Sequence, residues 1–110
     1  MKVPCVYILA SQPDGVLYIG VTSNLSARMN EHIQELRPGF SKRYGLKLLV
    51  YYELHETLPG AIAREKQLKE WRRAWKVRLI AAFNPEWRQL FDVATGEITF
   101  APADVARERF

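Results

Sequence analysis

The sequence predicts a small α+β domain, and three observations carry that expectation. Two β-branched and aromatic runs, residues 3–10 and 16–22, flank Ser11-Gln12-Pro13-Asp14-Gly15, a cluster of turn formers, and read as a hairpin. A third apolar run at 46–54 reads as a mostly buried strand. Elsewhere apolar residues recur at helical spacing, first from Leu25 to Leu36 and again from Ala61 to Phe83. The 110 residues suffice for one modest core and are too few for two.

The hairpin needs little further argument, because side chains alternate faces along a strand. Tyr18 then shares a face with Val16 and Gly20, opposite Leu17, Ile19 and Val21. Gly20, lacking a side chain, is expected to leave space beside the Tyr18 phenol for a backbone or a phosphate. Downstream, Thr22, Ser23 or Asn24 can cap a helix that runs to about Leu36 and stops at Pro38-Gly39. Leu25, Met29, Ile33 and Leu36 form its buried stripe, and Arg28 and His32, four residues apart, lie on the stripe's border. Gly39-Phe40-Ser41-Lys42-Arg43-Tyr44-Gly45 reads as a loop whose two cations sit between two aromatics, a composition suited to phosphates and to stacking on a base.

The next helix opens at residues 57–59, with Pro59 tolerated in its first turn. Ala61, Ile62, Leu68 and Trp75 fall on one side of a helical projection, with Glu65 in their midst. An unpaired charge on a buried stripe costs several kcal/mol, so Glu65 requires a cationic partner, with Arg28 and Arg72 as candidates, or a metal ion. Trp75, Leu79, Ala82 and Phe83 continue the helical face to Asn84-Pro85. Beyond Leu90 the pattern thins. Thr95-Gly96 can turn a small hairpin, and residues 104–110 read as frayed or briefly helical. The organisation expected is a domain over 1–91 and a tail over 92–110.

The formal charge is +4, unevenly spread: residues 1–91 hold 14 Lys/Arg against 8 Asp/Glu, and 92–110 hold 2 against 4. Seven basic residues fall between Arg64 and Arg78, against Glu65 and Glu70. Lys69, Arg72 and Arg73 of that cluster, with Lys42 and Arg43, are the expected nucleic-acid contacts. The single Cys5 excludes an intramolecular disulfide and a cysteine zinc site. No apolar run approaches a membrane span and no secretory leader is readable, so a cytoplasmic location is expected.

Val6-Tyr7-Ile8, Tyr18-Ile19-Gly20, Asn24-Leu25-Ser26-Ala27-Arg28, His32 and Glu65 together resemble the GIY-YIG nuclease family, in particular its small stand-alone bacterial members, over residues 4–88. The resemblance implies a three-stranded antiparallel sheet flanked by helices, and a metal-dependent endonuclease that hydrolyses DNA phosphodiesters. It implies roles as well. Tyr18 acts as, or helps form, the general base; Tyr7 lines the site; Arg28 is the helical arginine; His32 lies near the nucleophile; Glu65 binds the metal. Asn84 resembles an asparagine that some members use near the site. The first triplet departs from Gly-Ile-Tyr but keeps its tyrosine, and Val21 replaces a lysine found in the repair branch, which weakens a reading in DNA repair or recombination.

The chemistry asks for an activated water, a cation on the phosphate and a sink for the leaving charge. No other acidic residue clusters with Glu65, which points to a single divalent ion, Mg²⁺ or Mn²⁺, on one protein carboxylate. A free tyrosine phenol has a pKa of about 10, so Tyr18 needs cations nearby, or a neighbour such as His32 to take its proton. Structured or branched DNA is the expected substrate, since a small rigid site reads shape more readily than sequence. RNA, a homodimer and a protein partner stay open. Two other readings stand beside the nuclease: a non-catalytic nucleic-acid-binding module, and an interaction domain built on Trp71 and Trp75.

Overall fold

The computed structural model describes residues 2–36 and 38–99, so the expectation for 104–110 lies outside the described residues. Strands β1 (Cys5–Ala10), β2 (Leu17–Thr22) and β3 (Leu48–Leu54) form an antiparallel sheet in the order β2-β1-β3. The hairpin forms as expected. Its turn is closed by Ser11 N–H donating to the Val16 carbonyl (3.0 Å) and Gly15 N–H to that of Gln12 (2.9 Å). β1 is central and wholly buried, as its unbroken apolar run demands. A bulge between Ile8 and Leu9 shifts its register against β3.

Layers of different make-up cover the two faces. On one side Cys5, Tyr7, Leu9 and Leu49 pack with Leu25 and Met29 of α1 (Leu25–Ile33), with Leu46, and with Leu90 and Phe91. On the other, Val6, Ile8, Ala10, Ile19 and Val50 pack with Ala61 and Leu68 of α3 (Leu58–Glu70) and Ile80 of α4 (Arg73–Phe83). Between α1 and β3 a single helical turn, α2 (Phe40–Arg43), replaces part of the expected loop.

Two helices depart from the sequence reading. Asn24 caps α1 through its side chain (Oδ1 to Ala27 N, 3.2 Å), but the helix ends at Ile33 rather than Leu36. Glu35 adopts a left-handed φ of 58°, its N–H reaches the His32 carbonyl (3.1 Å), and Leu36 N–H reaches back to that of Glu31 (2.9 Å). This is the helix-ending pattern usually built on glycine. It turns Leu36 out of the buried stripe to 64% exposure. Likewise Thr57 caps α3 as expected, but Trp71 and Arg72 are extended (ψ 148° and 153°), so the helical face expected to run on through Trp75 breaks into two helices. Trp75 is therefore exposed and Trp71 half-buried.

Strands β4 (Phe91–Asp92) and β5 (Glu97–Ile98) form the small hairpin around Thr95-Gly96. Ile98 packs on the first core cluster, Thr99 N–H donates to the Leu90 carbonyl (2.8 Å), and the Tyr52 hydroxyl donates to the Thr99 carbonyl (3.1 Å). Residues 92–99 thus pack on the domain rather than trailing from it. Among the described residues no helix is long and apolar enough to cross a membrane.

Candidate active site

The site begins with a pairing inside the sheet. Tyr7 of β1 stands directly opposite Gly20 of β2. A Cβ placed on Gly20 would lie 2.5 Å from both Cζ and the hydroxyl of Tyr7. The Tyr7 ring therefore lies across the strand where the glycine leaves room, and it fills the space expected to stand open beside Tyr18. Glycine is needed here for close approach, since even one methyl would collide with a ring that is fully buried.

Burying a hydroxyl demands partners, and Tyr7 has them. Its hydroxyl lies 2.9 Å from Nε2 of His32, itself only 4% exposed, and the other ring nitrogen, Nδ1, lies 3.0 Å from Oγ of the buried Ser41. The Arg28 guanidinium also acts on the phenol, through hydrogen bonding and charge that raise its own pKa. With the Tyr7 hydroxyl at Nε2 and Ser41 at Nδ1, both ring nitrogens of His32 are engaged. The relay expected from Tyr18 onto His32 has no vacant ring nitrogen to use.

Arg28 is anchored further by its Nε–H to Glu31 (3.1 Å) and by Nη1 to the Val21 carbonyl (3.3 Å). Burial alone would lower its pKa, but the hydrogen bond and charge of Tyr7, and then Glu31, outweigh that and raise it. Its Nε–H and one Nη1–H are thus engaged by Glu31 and Val21, and the guanidinium keeps further N–H donors on a partly exposed side chain. The neighbouring Cys5 thiol is pushed up by burial to about 11, only partly offset by Arg28, which leaves it an inert core group.

Tyr18 differs from Tyr7 in one decisive respect. It is half-buried, its ring is set against Tyr7 (6.3 Å between centroids), edge-on to His32 (5.8 Å) and nearly parallel to Phe40 (6.3 Å, 21°). Among the described residues its hydroxyl makes no hydrogen bond. The structure thus gathers Tyr7, Tyr18, Arg28 and His32, and adds Ser41, which the sequence reading did not single out.

Glu65 comes from the opposite layer. It sits on the sheet-facing side of α3 between Ala61 and Leu68, only 15% exposed, and its carboxylate is 3.6 Å from Lys69 rather than paired with Arg28 or Arg72. The α3 helix that carries Glu65 packs on β2 and β1, while Arg28 reaches the Val21 carbonyl of β2 from the other side. No group of three His, Cys, Asp or Glu converges among the described residues. A single recessed carboxylate answered by one lysine suits a hard divalent cation such as Mg²⁺, which keeps most of its own waters.

The expected nucleic-acid contacts divide. Lys42 and Arg43 are exposed on α2, with the Arg43 guanidinium 5.7 Å from the Tyr44 ring centre. Lys69 is engaged with Glu65, and Arg72 lies over Trp75 (5.3 Å). Arg73 donates to the Asp14 and Gly15 carbonyls (2.8 and 2.7 Å), tying α4 to the β1–β2 turn. Asn84 is fully buried. Its amide donates to the Val50 and Arg88 carbonyls, and its oxygen accepts from Arg88 N–H (3.1 Å), so the side chain serves the backbone.

Comparison with known proteins decides the family, because residues 3–78 match the GIY-YIG catalytic domain. The chain belongs to the GIY-YIG catalytic domain family. A UPF0213 protein of Syntrophus aciditrophicus is 38% identical over 89 residues, covering 74% of this chain and 92% of the relative. One from Staphylococcus aureus is 36% identical over 75 residues, covering 68% and 90%. No solved structure matches. The GIY-YIG domain is a nuclease domain, and its substrate is nucleic acid. All five of Tyr7, Tyr18, Arg28, His32 and Glu65 lie within the matched segment.

Proposed function

We propose that this GIY-YIG domain is a divalent-metal-dependent endonuclease that hydrolyses DNA phosphodiester bonds, with structured or branched DNA as its substrate. The observation that carries this reading is the contrast between two adjacent phenols. Tyr7 is held by His32 and acted on by Arg28, whereas the Tyr18 hydroxyl beside it makes no hydrogen bond among the described residues.

In this mechanism the Tyr18 oxygen takes a proton from the attacking water and releases its own to solvent as the water oxygen forms its bond to phosphorus. One bridging P–O bond breaks, and the leaving oxygen takes up a proton from solvent. Arg28 N–H donors not engaged by Glu31 and Val21 bind the non-bridging oxygens and stabilise the charge that grows on them. Tyr7 holds Arg28 in place, while His32 and Ser41 fix the orientation of Tyr7. Lys42 and Arg43 bind flanking phosphates. Glu65 would hold a single Mg²⁺ or Mn²⁺, which when bound supplies Lewis-acid stabilisation of phosphate charge.

The test is cleavage of labelled single-stranded, duplex, flapped and branched DNAs with Mg²⁺, Mn²⁺ or EDTA, using wild type and Glu65→Ala. Cleavage should require the metal and fall at least about a hundredfold in the variant. Cleavage that survives both EDTA and Glu65→Ala would sink the proposal. Salt-sensitive binding with no cutting on any DNA would transfer the site to the non-catalytic binding reading.

A further inference from the structure

The helical turn that carries Ser41 has an outward side. Phe40 and Tyr44 are 46% and 47% exposed, with ring centroids 4.6 Å apart. They border an open cleft of about 640 Å³ lined by Pro38, Gly39, Phe40, Lys42, Arg43 and Tyr44. Most of the large apolar groups pack around β1, and these two adjoining aromatics, left open, offer flat ring surface to a ligand. Gly45, at φ 63°, lets the chain turn sharply after Tyr44, a conformation that a side chain there would strain.

Position and charge narrow the ligand. Phe40, which lines the cleft, stacks on Tyr18, so the cleft lies next to the candidate active site. Lys42 and Arg43 form no ion pair among the described residues, and α2 carries no acidic residue, so its rim is cationic. An aromatic shelf with a cationic rim fits a nucleotide, base on ring and phosphate on cation. A base within a duplex has both faces covered by its neighbours and presents none to a protein ring. Resting on the proposed nuclease reading, we infer that the Phe40–Tyr44 cleft is a subsite for one unpaired base adjacent to the scissile phosphate, with Lys42 and Arg43 on that nucleotide's phosphates. Cleavage is therefore directed to flaps, forks and single strands, and the selective feature is an exposed base face rather than a base sequence.

The experiment maps the cut site in a flapped DNA, then replaces the unpaired nucleotides around it one at a time by an abasic analogue. Wild type is compared with Phe40→Ala/Tyr44→Ala, and anisotropy measures binding of labelled intact and abasic single strands without added metal. At one position the missing base should slow wild-type cleavage and weaken binding by about tenfold, the magnitude of one lost base–aromatic stack. The double variant should show that same loss on intact DNA and no further loss on abasic DNA. Equal wild-type cleavage of intact and abasic substrates, or losses that multiply in the variant, would overturn the subsite while leaving the nuclease standing. Absence of cutting with base-dependent binding abolished in the variant would support the subsite and remove the nuclease. Both residues are half-exposed, so the variant should fold, as circular dichroism would show. Should it not, Phe40→Trp, which keeps an aromatic face and should retain base dependence, carries the test with the wild-type abasic series.

Discussion

The two faces of one three-stranded sheet are built to different rules. Towards α3 and α4, strand β1 presents Val6, Ile8 and Ala10, met by Ile19, Val50, Ala61, Leu68 and Ile80. Towards α1 and α2 the alternate residues include Tyr7, opposed by Gly20 and joined in the buried layer by His32 and Ser41. An aliphatic layer is stable without any directional requirement, whereas every polar group buried in the other layer has to find a partner. The domain thus uses one face for packing and accepts an exacting hydrogen-bond network on the other, where Tyr18 and Arg28 emerge. On the packing side, Glu65 apart, a charged cluster lies at the rim. Glu53 there accepts hydrogen bonds from the Tyr51 hydroxyl, His55 and Arg64 (Nε, 2.7 Å), and the Arg64 guanidinium covers the Trp71 ring at 5.1 Å, pinning α3 to β3.

The sharpest way to break the contrast is Gly20→Ala. A methyl 2.5 Å from the Tyr7 ring cannot be accommodated by a side chain with no free volume around it. The variant should lose about 2–3 kcal/mol of stability in urea unfolding, and cleavage should fall with it. A glycine-to-alanine change at the exposed start of α3, Gly60→Ala, meets the Thr57 hydroxyl at 3.1 Å and His55 Nδ1 at 4.0 Å and serves as the comparison.

A smaller effect is expected from Ser41→Ala. It removes the partner of His32 Nδ1 without a large cavity, so cleavage should drop by about tenfold, mainly in kcat, while stability changes by about 1 kcal/mol. If Ser41 acts through the imidazole, Ser41→Thr should restore the rate, and the acidic limb of the pH–rate profile should shift in the alanine variant alone. Equal loss in Ser41→Ala and Ser41→Thr would contradict a positioning role.

The smallest effect tests the packing face. Burial would raise the Glu53 pKa, but its hydrogen bonds to Tyr51, Arg64 and His55 outweigh that and hold it below the usual 4.5. A carboxylate depressed on folding stabilises above its unfolded pKa and loses that contribution as the pH falls through the folded value. Thermal stability should therefore decline below about pH 4.5, and Glu53→Gln should flatten that decline by about 1 kcal/mol, with cleavage at neutral pH little changed. A decline as steep in the variant would place the acid-sensitive group elsewhere.

Much of the fold could be read from the sequence because hydrophobic period, turn formers and caps agree with the final structure at the hairpin, at Asn24 and at Thr57. The misreadings have physical causes. Glu35 ends α1 in a left-handed conformation that is normally the province of glycine, so no residue announced the stop. Trp71 and Arg72 are unremarkable helix residues whose extended backbone is decided by tertiary packing. The tyrosines, Arg28 and His32 were legible as a group from their spacing. Ser41 was not, since only the path of α2 turns it inward. The role of Gly20 was read as vacancy because strand register, which sets Tyr7 opposite it, is invisible until the hairpin is paired.

In the proposed mechanism the phenol of Tyr18, which makes no hydrogen bond among the described residues, activates the water. Single-turnover cleavage of a flapped DNA by Tyr18→Phe tests it most directly, since the change removes one oxygen and leaves the ring packed against Phe40. The rate at saturating DNA should fall by about 10² to 10⁴, with DNA affinity within about twofold of wild type. A Tyr18→Phe variant that cuts within a few-fold of the wild-type rate would contradict the account.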